Sequence, residues 1–130
     1  MTTTTDLSAV AEKLGVRMDY DAHGVLKEGD LGGWFPQERL VLVRSGLGWK
    51  NLRHTVAHEL GHAAHGHPAG HDPKHERQAD EYAARLLINR DDYEQAELVY
   101  EGNAQAIAHE LDVTMHMLEV WRDQYTRRTE

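Results

Sequence analysis

His58-Glu59-Leu60-Gly61-His62 puts two imidazoles and a carboxylate in one short run. Histidines at i and i+4 share a helix face, so both rings can turn toward one metal ion while the intervening Glu reaches a water beside it. A divalent ion held this way lowers the pKa of water and polarises a carbonyl, which is the chemistry of a zinc hydrolase. The chain has 10 histidines among 130 residues, so the run alone is weak and its flanks must carry the case.

Read at 100° per residue, residues 50–64 carry two opposed stripes: Leu52, Val56, Leu60 and Ala63 on one side, His54, His58, His62 and His65 on the other. The pattern predicts a helix with an aliphatic face docked on the body and an imidazole face turned to a cleft. A catalytic zinc keeps three protein ligands and one open position, so a third ligand is required. Residues 75–88 read as a second helix with Ala79, Ala83, Leu86 and Leu87 buried. Glu76 and Asp80 stand one turn apart on it. That spacing makes Glu76 a candidate third ligand and Asp80 an acceptor that would orient a ligating imidazole. His71, Asp72 and His75, in a loop marked by Pro68, Gly70 and Pro73, stay open as alternatives. A metzincin pattern would need Gly and His where the chain has His65 and Pro68. His65, His67, His71 and Tyr82 are candidates to line the cleft or touch substrate, and with Tyr93 they are unranked candidates to steady an oxyanion. Glu81 is expected on the solvated side of its helix.

His58-Glu59-x-x-His62 followed by Glu76-x-x-Ala79-Asp80-x-Tyr82-Ala83-Ala84-x-Leu86-Leu87 resembles the ImmA/IrrE metallopeptidases, H-E-x-x-H zincins of the gluzincin type whose members carry H-E-L-G-H and then E-x-x-A-(N/D)-x-F-A-A-x-L-L. Tyr82 replaces the commoner Phe, and Ile88-Asn89 stands where many members have Met-Pro. The resemblance is tight over residues 54–88. It implies His58, His62 and Glu76 as ligands to one zinc, Glu59 as general base and acid, and proteolysis of a protein substrate, typically a helix-turn-helix transcriptional repressor. Manganese or iron suits similar ligands. The alternative reading keeps the fold as a zinc-bound binding module or repressor antagonist that does not cleave. A further one, metal storage by the histidines from His54 through His75, predicts several ions per chain.

These residues need a scaffold, and the chain is long enough for one modest core. The order of elements predicts an α+β fold: a short helix over residues 6–14 capped by Asp6 and stopped by Gly15, strands at 16–20, 31–35 and 39–43, then the two metal helices. The last two strands form a hairpin around Pro36-Gln37-Glu38, giving a small three-stranded sheet packed on the H-E-x-x-H helix. Within residues 31–43 we expect a sheet edge able to receive an extended substrate, with Gly32 and Gly33 allowing close backbone approach. Residues 1–100 make a minimal zincin-like domain and residues 101–130 a helical hairpin, helix-turn-helix-like in spacing and packed on it. The exposed face expected of its second helix offers Met115, His116, Met117, Glu119 and Asp123, with Arg122, Arg127 and Arg128 near the end, which argues against DNA as partner. A net charge of −8 points the same way. The chain has no cysteine, its threonine-rich start lacks a leader pattern, and no apolar run is long enough to span a membrane, so a cytoplasmic protein is expected.

Overall fold

The computed structural model describes residues 5–129; residues 1–4, where the threonine-rich start falls, residue 130, and the side chains of 128 and 129, including that of Arg128, lie outside the described residues. The order is α1 (Leu7–Leu14), β1 (Arg17–Tyr20), β2 (Gly32–Phe35), β3 (Leu40–Val43), α2 (Trp49–Ala64), α3 (Pro73–Leu87), α4 (Arg90–Tyr100), α5 (Ala104–Leu111) and α6 (Met115–Thr129). Asp6 caps α1 by accepting from the Ala9 N–H, and Gly15 ends it at φ 68°.

The sheet is three-stranded, as expected, and it is mixed, with the order β1-β3-β2. The strand Leu-Val-Leu-Val of β3 sits in the middle, parallel to β1 and antiparallel to β2, because a continuous apolar run suits a strand covered on both sides. The expected hairpin is present, closed by Arg39 at φ 49°. The edge beside the metal helix is therefore β2, and residues 39–43 are interior. The Arg44 N–H donates to the Leu31 carbonyl at 2.8 Å. By antiparallel alternation, Gly33 and Phe35 then bond β3, while the N–H and C=O of Gly32 and Trp34 face the open edge.

Val56, Leu60 and Ala63 of α2 pack with Val41, Val43 and Trp34, so the aliphatic stripe docks on the sheet as its period requires. The opposite stripe meets the expectation in part: α3 lies across it, and of its four imidazoles His62 lines a cleft. A Cβ on Gly61 would stand 2.8 Å from the Ala79 carbonyl oxygen and 2.9 Å from Ala79 Cα, so the two helices meet backbone to backbone there. α3 also starts earlier than its apolar period indicates. Asp72 accepts from the Lys74 and His75 N–H groups and Pro73 opens the first turn.

A second apolar cluster joins Ala57 of α2 to Ala83, Ala84 and Leu87 of α3 and to Tyr93, Ile107, Leu111, Leu118 and Trp121 farther on. It includes α4, an element the sequence reading does not assign. Ile88 is buried and Asn89 caps α4 by accepting from the Asp92 N–H, so the Ile88-Asn89 pair ends one helix and starts the next. α5 and α6 form the expected hairpin, with Asp112 left-handed at the turn (φ 59°); Met117, expected on the exposed face, is instead fully buried, because α6 turns it into the second apolar cluster. Among the described residues no helix is long and apolar enough to cross a membrane.

Candidate metal centre

Two helices supply the site. From α2, His58 Nε2 and His62 Nε2 lie 2.6 and 3.1 Å from the same oxygen, Glu76 Oε2 of α3. Ligand atoms about 2.0–2.2 Å from a tetrahedral ion stand roughly 3.3 Å from one another. The three atoms are thus converged to within a side-chain adjustment of that arrangement, and the two-imidazole, one-carboxylate set suits a borderline divalent cation.

The far side of each ring is also held. His58 Nδ1 stands 2.7 Å from Asp80 Oδ1, the acceptor role expected of Asp80. A carboxylate there keeps a proton on Nδ1, so the proton that an entering ion displaces is the one on Nε2. His62 Nδ1 lies 3.0 Å from His67 Nδ1, and His67 Nε2 lies 2.7 Å from Gln78 Oε1. The amide oxygen accepts, so His67 carries its proton on Nε2 and its Nδ1 accepts from His62, which bares a ligating Nε2. His67 and Gln78 were not legible as supports; the pairing is visible only once α3 lies across α2.

The electrostatics of the protein groups alone are lopsided. Burial by itself would lower His58, but the bond to Asp80 and the charges of Glu59, Asp80 and Glu76 outweigh it and raise its pKa to about 9. Burial and the neighbouring His58 lower His62 to about 4. Against its burial, Glu76 is held below the ordinary carboxylate range by the His71 bond and the His58 charge. Asp80, despite burial, is held well below that range by His54, His58 and His116. Burial pushes the Glu59 carboxyl up to about 7, with His58 pulling the other way and Glu76 adding to the rise. The proton shared around His58 is what a cation would replace.

Glu59, His62 and Glu76 line one wall of a cleft of about 210 Å³, and Gly32, Gly33 and Trp34 of β2 line the other. Of the side chains expected in this cleft only His71 is there, exposed and 3.0 Å from Glu76 Oε1. His65 lies outside it, where its Nδ1 donates to the Gly61 carbonyl at the end of α2. His67 is buried beneath His62, and Tyr82 packs against the sheet-side apolar cluster. Tyr93 is far off, bonded to Glu97 and Arg122. Asp72 serves as a cap, His75 stacks on His67 at 4.0 Å, and Glu81 meets Arg127 of α6 rather than solvent alone. Gly32 is tight for a structural reason: a Cβ there would fall 2.5 Å from Thr55 Cγ2 and 3.3 Å from Glu59 Cγ.

A mixed sheet carrying an H-E-x-x-H helix, with a carboxylate from a second helix converged on both histidines, has the architecture of a metal-binding hydrolase. The chain belongs to the peptidase family whose model is described as the IrrE N-terminal-like domain, which matches residues 7–120. No curated protein matches it.

Proposed function

We propose that this chain is a zinc-dependent endopeptidase of the cytoplasm whose substrate is a protein, a helix-turn-helix transcriptional repressor by the family resemblance. The observation that carries the reading is the convergence of His58, His62 and Glu76 beside Glu59, in a cleft bounded by a sheet edge. His58, His62 and Glu76 would hold the ion. When bound, zinc acidifies water and polarises the scissile carbonyl. Glu59 takes the proton of the attacking water and delivers it to the leaving amine; its raised pKa suits a group that must both accept and give a proton near neutrality. The free N–H and C=O groups of Gly32 and Trp34 would bind an extended substrate as an added strand, using main-chain hydrogen bonds. Its position on the cleft wall supports His71 as the imidazole that would steady the oxyanion.

Incubating the protein with candidate repressors, with and without chelator, and reading fragments by mass spectrometry tests the reading. A defined cut that chelator abolishes is expected; metal-dependent binding of an intact repressor would establish the non-cleaving alternative instead. Glu59→Gln should keep its metal content while turnover falls about 10²–10⁴-fold. An unchanged rate would remove Glu59 as the base.

A further inference from the structure

Asp80 has more imidazoles than its task at His58 needs. Its Oδ1 meets His58 Nδ1, and its Oδ2 lies 2.7 Å from His116 Nε2 of α6. His54 Nε2 of α2 stands 3.7 Å from Oδ1. The His54 and His116 rings stack with centroids 5.6 Å apart and planes 30° from parallel, both presenting Nε2 to the carboxylate. One atom each from His54, Asp80 and His116 falls within 4.8 Å of the others, the same donor set as the first centre and drawn from three separate helices. His116 is about half exposed, so water can complete the coordination.

We propose that His54, Asp80 and His116 form a second, weaker site for a divalent cation, and that its occupancy regulates the first. Imidazole donors select zinc, cobalt or nickel over magnesium or calcium. Asp80 is the link between the sites. A cation drawing on its charge leaves less of it for the Nδ1–H of His58, which makes that ligand less basic and loosens the first ion. The same cation ties α6 to α2 and α3. The site stands whether or not the first centre hydrolyses peptides.

The test is a titration of the full chain, first brought to one equivalent of zinc, with further zinc or cobalt, read by equilibrium dialysis and by calorimetry. Wild type should take a second equivalent at least tenfold more weakly than the first, with a rise in Tm at that step. His116→Ala and His54→Ala should each lose the second equivalent and its Tm rise while keeping the first, and His109→Ala, an exposed histidine on α5, should keep both. His116 is about half exposed and belongs to neither apolar cluster, so an unchanged far-ultraviolet spectrum and cooperative melting are expected of its variant. A wild type that stops at one ion overturns the proposal. So does a His116→Ala variant that still takes two, or one that takes none, since His116 would then be a bystander or a support of the first centre.

Discussion

At the scale of single residues, the site depends on which nitrogen of each imidazole carries the proton. Asp80 sets this for His58, and the His67–Gln78 pair sets it for His62. Removing either support lets a ring turn or change tautomer. Asp80→Ala and His67→Phe, the latter keeping most of the ring's volume, should each weaken metal binding about 10–100-fold, measured by competition with a chromophoric chelator. Protons compete at the same atoms. With His58 raised to about 9, an ion entering below that pH must displace its proton. Affinity should therefore climb with pH and level off above about 9, and calorimetry in buffers of different ionisation enthalpy should show about one proton released per ion near pH 7.5. The sign for folding is the opposite. Protonated His58 stabilises the metal-free fold fully below its unfolded value of 6.5, and that contribution is lost as pH rises through about 9.

At the scale of elements, the meeting of α2 and α3 decides whether Glu76 reaches the histidines at all. Gly61 and Ala79 are small because the helix backbones touch there. In an exposed helix interior, Gly→Ala stabilises by roughly 0.5–1 kcal/mol, so the sign of a substitution is diagnostic. Gly61→Ala should instead destabilise by about 1–3 kcal/mol in urea denaturation, because the obstacle is backbone and cannot swing aside, and it should weaken metal binding as the helices part. A gain in stability would show that the approach is looser than drawn. Gly32 does the same for β2 against α2, where an added methyl would press on Thr55 and the stem of Glu59.

At the scale of the whole molecule, the site helices also belong to a core built largely from the C-terminal half. Leu118 and Met117 are fully buried in the cluster that holds Ala57, Ala83 and Leu87, and the Arg53 guanidinium donates to the Asp112 carbonyl at 2.7 Å. Leu118→Ala should cost about 2–5 kcal/mol although it lies far along the chain from His58, His62 and Glu76. Metal release and loss of helical signal should coincide along the denaturation curve; metal lost well before the helices melt would mean that the two halves unfold separately.

Local backbone geometry is written in the chain itself. Residues i and i+4 on a helix face one way, so His58 and His62 pair wherever residues 49–64 are helical, and the apolar period says which side docks. The same local rules made the three strands, the hairpin and the α5–α6 turn legible. α4 escaped because much of it is polar, with Leu98 and Val99 exposed, although Asn89 and the acidic pair Asp91-Asp92 were signs of a helix start. Which of Glu76, His71, Asp72 and His75 would meet the histidines was not a local matter. Only the packing of α3 across Gly61 brought Glu76 to them and Gln78 to His67, and only the packing of α6 on α3 carried His116 to Asp80, because convergence of groups distant in sequence is set by how the helices pack, and no spacing along one helix encodes it.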